Sequence, residues 1–477
     1  MLTSRLFSLP PLLAAASLLA ACADLPPARA VRIATASTSE VMCNAAFVQH
    51  IDPQRAYEDE VRPAGGMGLI AWGLKSEVDT ARAEVRTTFA GGALGRAAWR
   101  EGGGCTVMHG DADRPAPHPL PPRLDTPDPF PGLAVPAPVA AADPRIAAAV
   151  DAAFAEEEGA TPRRTQAVLV VQHGRILAER YAADIAPDTP LAGHSISKSV
   201  THALVGILAA QGRLDPDAPL ALPAWSNPGD PRAAITPNLL LANASGLPWD
   251  EADRGWDGAT RMWHVEPDPA AFAMRVPAET APGTHFAYSN AGWTVLSRLL
   301  RDLNGGTAEG FNAFAERELL GPLGMRHTVL TLDATDTPMG ANLFHASARD
   351  WARFGLLYLN DGVVNGRRLL PEGWVTEART PTLDAGYGRG FWLNHRHDRH
   401  PLPGRWGLCD APEEAFFARG YLGQFIVIVP SLDLVVVRLG VSYRPGGDVE
   451  TVGKLVAEVA GVLRAQAASA SVGSTPL

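Results

Sequence analysis

The sequence predicts an α+β fold. One antiparallel sheet is built from both ends of a main domain, flanked by helices and with a helical subdomain beside it, and a small N-terminal α+β module precedes it. Three observations carry this. Two β-rich runs, "QAVLVVQHGRILAERYA" (166–182) and "FFARGYLGQFIVIVPSLDLVVVRLG" (416–440), stand far apart in the chain. Helical and loop patterning fills the space between them. Ahead of the first run, eleven prolines between Pro115 and Pro144 exclude helix and central strand.

From the N-terminus, Arg5 precedes an apolar stretch, Leu6–Ala21, that ends in "LAAC" at Leu19–Cys22. This resembles a bacterial lipoprotein signal, which implies a lipid on Cys22, a membrane anchor and a periplasmic location; ordinary signal cleavage at Ala21-Cys22-Ala23 or Ala28-Arg29-Ala30 is the alternative. Both readings send residues 1–22 out of the fold as a leader and place the rest in an oxidising compartment, where Cys43 and Cys105 can pair and Cys409 is left as a buried thiol. No Cys-x-x-Cys pair suggests zinc.

Residues 31–113 alternate apolar runs such as "AAFVQHI" with "ARAEVRTTFAGG", the pattern of a small α+β accessory module, to which no chemistry can be assigned. Residues 114–144 form an extended connector. The main domain, 145–466, opens with "DPRIAAAVDAAFAEEEG", a helix with Asp143 as N-cap and Pro144 in its first turn. A hairpin turning at His173-Gly174 follows. The C-terminal strands break at Gly423 and at Pro430-Ser431, and "DVETVGKLVAEVAGVLRAQ" closes as an amphipathic helix before a tail, 467–477.

With a formal charge of −10 and no basic cluster, the chain offers no face for nucleic acid. Its 41 Lys plus Arg include only three lysines, Lys75, Lys198 and Lys454. Arginine holds its proton at any ordinary pH, whereas lysine can release one when its surroundings disfavour charge. Lys198 falls in "SISKSVTHALVGILAAQG", a predicted helix with Val200, Leu204, Ile207 and Leu208 on one face and Gly212 as its stop. Ser195 sits in the first turn and Lys198 one turn on, along the same face. The helix N-terminus favours negative charge on the serine oxygen, and a lysine at this spacing can take its proton. Read alone, the pair is equally a capping serine and a surface lysine.

Tyr288-Ser289-Asn290 lies downstream, just before an apolar helix. A tyrosine poised as phenolate beside the lysine ammonium can serve as base and then as acid, and Asn290 can point an amide into the same cavity.

Together, Ser195-Ile196-Ser197-Lys198 and Tyr288-Ser289-Asn290 resemble the serine β-lactamase and penicillin-binding-protein superfamily, in its class C β-lactamase, esterase and 6-aminohexanoate-dimer hydrolase branch. "ITPNLLLANASGL" (235–247), "GPLGMRHT" (321–328), "SARDWARFGLLYLNDG" (347–362) and "LDLVVVRLG" (432–440) agree in order. The resemblance implies a β-lactamase-like fold over about residues 145–465. It implies Ser195 as acylated nucleophile, Lys198 as its activating partner, Tyr288 as proton shuttle and Asn290 as an orienting residue. The oxyanion hole would use the backbone N–H of Ser195 and one from the strand at Ala418–Gly420.

One departure matters. Relatives carry Lys-Thr-Gly or His-Thr-Gly on the strand facing the serine, whereas this chain reads "FFARGYLGQ" (416–424), with Arg419 offset and expected to point away. Without that cation a substrate carboxylate loses its partner, which favours esters or linear amides over β-lactams and D-alanyl peptides. No Ser-Asp-Asn and no class A glutamate is found, so deacylation falls to Tyr288 and a water. Trp249, Trp256 and Trp263 wall an acyl pocket or simply pack. His395, His397 and His400 in "NHRHDRH" read as a solvated loop.

The sequence thus predicts an exported serine hydrolase acting through an acyl-enzyme on a small-molecule ester or amide, without metal or cofactor. A β-lactamase or D-amino-acid peptidase is the alternative, and a penicillin-binding-like sensor that acylates without turnover is a third reading.

Overall fold

The computed structural model describes residues 26–110, 116–121, 127–251, 257–383, 385–394 and 407–473. Cys22, Trp256, His395, His397 and His400 lie outside the described residues.

The N-terminal module begins with helix α1 (Pro26–Asn44), five residues earlier than its sequence-predicted boundary at 31. An antiparallel meander of four strands follows: β1 (Leu74–Asp79), β2 (Glu84–Phe89), β3 (Leu94–Arg100) and β4 (Gly104–Met108). A disulfide joins Cys43 on α1 to Cys105 on β4, within a small core of Met42, Val48, Val85 and Ala97. Such a core is too small to hold a module alone, and the crosslink supplies what burial does not.

The proline-rich stretch contains no helix or strand among its described residues. It is nevertheless seated on the main domain. Phe130 and Leu133 enter the main core, Arg349 donates to the Val135 carbonyl at 2.6 Å, and Arg353 pairs with Asp128 at 2.6 Å.

The main domain opens with α2 (Pro144–Phe154), where Asp143 accepts from the Arg145 N–H at 2.8 Å. The helix stops before "AEEEG", where Ala155 turns extended and Glu156 accepts from the Arg163 N–H, also at 2.8 Å. The hairpin of β5 (Thr165–Gln172) and β6 (Arg175–Tyr181) turns at His173 and Gly174, with φ of 49° and 66°. Two positive φ values make a turn whose twist matches the strands.

Far along the chain come β7 (Trp392–Leu393), β8 (Phe416–Gly420), β9 (Gln424–Val429) and β10 (Leu434–Gly440). The sheet order is β7-β8-β9-β10-β5-β6, antiparallel throughout, with Val437 opposite Leu169 joining the two chain ends. Alternation along each strand feeds two cores. Leu169, Val171, Ile426, Val435 and Val437 face α3 (Ile196–Ala210) and α5 (Ala348–Leu359). Val168, Val170, Val427 and Val436 face α2 and the closing helix α6 (Val449–Gly473). Between them α4 (Asn290–Leu303) and shorter helices form the lateral subdomain.

Three sequence expectations change. Helix α6 continues to Gly473, past the boundary drawn at 466, because its alanine-rich end favours helix. Helix α3 is buried on every side from Ile196 to Leu208, so its polar residues are interior and not a solvated face. Cys409 is partly exposed, since it falls in a turn ahead of β8 and not in a core element.

Replacing both Cys43 and Cys105 by alanine opens a loop of 62 residues. The double variant is expected to lower the unfolding free energy of the module by about 2–4 kcal/mol, read by urea denaturation. An unchanged midpoint would mean that docking alone holds it.

Candidate active site

The strand segment Leu191–Ala192 delivers the chain to Gly193 and His194. A Cβ at Gly193 would lie 2.5 Å from the Trp351 ring, so no larger residue fits. His194 takes a left-handed φ of 45°, a strained turn that aims the next residue upward. That residue is Ser195, the N-cap of α3, and it makes no side-chain capping bond of its own.

Lys198, one turn on, is 1% exposed. Its Nζ donates to Ser195 Oγ at 2.8 Å, to Asn290 Oδ1 at 2.7 Å and to the Ala341 carbonyl at 2.6 Å. All three protons are used and all three acceptors are uncharged. Burial without a contacting carboxylate pulls its pKa from 10.5 to about 8, against the opposing pull of Glu251 and Asp250 nearby.

Asn290 opens α4 and is fully buried. Its Nδ2 donates to Asp250 Oδ1 at 3.0 Å and to Glu251 Oε1 at 2.7 Å, which fixes the amide with its oxygen towards Lys198. The Asp250 carboxylate also accepts from the N–H groups of Asn290 and Ala291, at 2.9 and 2.8 Å. It therefore caps α4 in place of Ser289, which makes no capping bond. Burial, with Glu251 adding to it, raises the Asp250 pKa to about 6 against those hydrogen bonds.

The Tyr288 hydroxyl is near enough to Ser195 to feel it, while Lys198 Nζ stands 4.8 Å over the face of its ring. Trp392 stacks on that ring at 5.5 Å and Trp249 lies 5.8 Å away. Burial in this aromatic box, together with Tyr387 and Glu251, raises the Tyr288 pKa well above 10. Burial here disfavours the phenolate considered from the sequence, and the same burial favours loss of a proton from Lys198.

Ser195 and Tyr288 open on one cavity of about 520 Å³. Trp249 and Trp263 line it, so both tryptophans pack and wall the pocket at once. Ala418 points into the core beneath α3. At the end of β8, a Cβ on Gly420 would come within 2.1 Å of the Gly193 carbonyl, which fixes how closely that strand passes the serine segment. Arg419 is among the residues that border the cavity, while its buried guanidinium stands over the Phe425 ring at 5.7 Å. Its guanidinium donates to the Gly446 carbonyl at 2.8 Å, and its charge reaches the Tyr288 hydroxyl.

The family model described as "Beta-lactamase" matches residues 150–461. The chain belongs to the β-lactamase family. Among relatives, the 6-aminohexanoate-dimer hydrolase of Paenarthrobacter ureafaciens is 27% identical over 294 residues, 58% of this chain and 72% of that protein. Among solved structures, EstCE1, titled a hydrolase with promiscuous acyltransferase activity, aligns with a TM-score of 0.52 at 16% identity, over 69% of this chain and 99% of its own. A penicillin-binding-protein homologue of Caulobacter crescentus aligns with a TM-score of 0.50 at 16% identity, over 68% and 99%. Both share the fold.

Within this β-lactamase-family chain, sequence reasoning missed Asp250, Glu251 and the Ala341 carbonyl. The first two stand in "PWDEADRGWDG", where the tryptophans drew attention and two adjacent acids in a loop carried no periodic signal. A backbone carbonyl leaves no mark on sequence at all.

With only three lysines, isotope-labelled lysine gives three signals to assign. Followed by NMR, Lys198 is expected to titrate near 8, and Glu251→Gln to lower that value by removing a charge that favours the ammonium. A Lys198 that titrates above 10 in both proteins would show that burial does not govern it.

Proposed function

We propose that this family member is an ester or linear-amide hydrolase that works through an acyl-enzyme on Ser195. The observation that carries the reading is the contact of the buried Lys198 Nζ with Ser195 Oγ at 2.8 Å, its other acceptors being neutral. A lysine with a pKa near 8 is partly neutral at working pH and can take the serine proton as Oγ attacks the acyl carbon. The N-terminal end of the 15-residue helix α3 favours the charge that develops on the attacking oxygen. The oxyanion would rest on the N–H of Ser195 and one from β8. Tyr288, protonated and beside Ser195, hands its proton to the leaving group and regains one from the Lys198 ammonium. Water then attacks the ester carbon, its proton passing to Lys198, and Ser195 leaves with that proton restored.

One relative supports an amide or related acyl substrate: the hydrolase named for the 6-aminohexanoate dimer. The disulfide and the "LAAC" signal support an exported, lipid-anchored protein in an oxidising compartment. One observation favours a second reading. Arg419 borders the cavity, and a guanidinium drawn from the Gly446 carbonyl towards the serine would meet a substrate carboxylate, as a β-lactamase or D-amino-acid peptidase would need.

The test compares p-nitrophenyl esters, a linear amide and a chromogenic cephalosporin on wild type, Ser195→Ala and Lys198→Arg. Ester turnover well above cephalosporin turnover is expected. Ser195→Ala should abolish it, and Lys198→Arg should cost about 10²–10⁴-fold in kcat/KM. Full activity in Ser195→Ala would sink the assignment; a cephalosporin preferred over every ester would favour the second reading.

A further inference from the structure

The N-terminal module, without assigned chemistry from sequence, supplies a wall of the cavity that holds Ser195. Val31, Ala34, Ser37 and Val41 recur three or four residues apart along α1, and all four line that cavity. Met67 and Ile70, from the segment before β1, extend the same wall. Trp249, Trp263 and Leu343 of the main domain also line the cavity. Apart from Ser37 these residues are apolar, and Glu40, Glu60 and His264 add polar groups to a lining that is apolar for the most part. At about 520 Å³ the space lies within the range of pockets that enclose a small molecule.

The wall is fastened in place. Glu40 on α1 meets His264 at 3.2 Å, and Asp59 meets Arg164 at 2.7 Å. On the sheet side of the module, Arg100 is 1% exposed and donates to the Asp333 carbonyl at 2.7 Å and to Asp336 at 2.6 Å. Thr106 adds a bond to the Leu332 carbonyl at 2.8 Å. A module pinned at several points shapes a pocket; a tethered one would not.

We propose that the α1 face from Val31 to Val41 is the acyl-chain subsite, and that it selects substrates with a long apolar acyl group. This rests on the reading of Ser195 as an acylated nucleophile. The acyl half of the substrate stays attached to Ser195 until water arrives, while the leaving half must depart first. A walled apolar cavity therefore serves the half that stays. Each methylene it covers gains a constant increment, so preference grows with chain length until the wall is filled.

The experiment measures kcat/KM for p-nitrophenyl acetate, butyrate and octanoate on wild type, Val41→Trp and Ser37→Phe. Both substituted side chains are only partly buried, and the ratio of octanoate to acetate cancels any loss of folded enzyme. Wild type is expected to favour octanoate by at least about thirtyfold, the gain from two or three of its six extra methylenes, and each variant to cut that ratio at least about fivefold. A chain-length profile identical in all three proteins overturns the proposal while leaving the hydrolase reading intact. Binding of octanamide and acetamide to Ser195→Ala by calorimetry separates the two failures. Octanamide held more tightly, and weakened by Val41→Trp in the Ser195→Ala background, supports the subsite even where no ester turns over. Equal binding of both amides counts against it.

Discussion

An ammonium buried among three neutral acceptors is the constraint from which the rest of the site follows. Lys198 has no carboxylate in contact, so every one of its protons must be placed by geometry. That requirement fixes Ser195 at the head of α3, the Asn290 amide in one orientation, and the Ala341 backbone at hydrogen-bond distance. Asp250 and Glu251 act on Lys198 through the Asn290 amide, near enough to favour its charge and too far to neutralise it. The three-layer arrangement around the six-stranded sheet exists, in this sense, to keep α3 dry on all sides.

Much of this was legible in the sequence because it rests on patterns with a period or a spacing. Alternation marked β5, β6, β9 and β10; Asp143-Pro144 marked the start of α2; three residues between Ser195 and Lys198 placed them one helical turn apart. What escaped reading depends on distance across the fold. That Arg419 borders the cavity has no local mark, because register alone does not reveal where a strand ends relative to the serine. Tyr288 was read as a phenolate because its aromatic surroundings, Trp249, Tyr387 and Trp392, come from separate segments. Asp250 was invisible because a helix cap supplied from a distant loop has no local signature.

The N-terminal module shows the same limit more sharply. Its composition indicated a small α+β unit and nothing else, yet its first helix borders the reaction space. The stripe along α1 has helical spacing, but apolar residues at that spacing normally face a core. Here the outer part of the stripe faces a cavity shared with another domain. The inner part packs on β2 and β3, where Ser39 bonds Thr87 and the Gly95 carbonyl.

The buried charges around Asn290 also bear on how the protein can evolve. The environment lowers the Lys198 pKa to about 8 and raises that of Asp250 to about 6, so each charged form is held at a cost to the folded state. The Asp250 cost applies above about pH 6 and the Lys198 cost below about pH 8, so between those values both charges are carried. A lineage released from catalysis would have a route to a more rugged protein by replacing both with neutral side chains of similar shape. The pair thus ties the durability of the fold to the same pH window in which the site carries both charges.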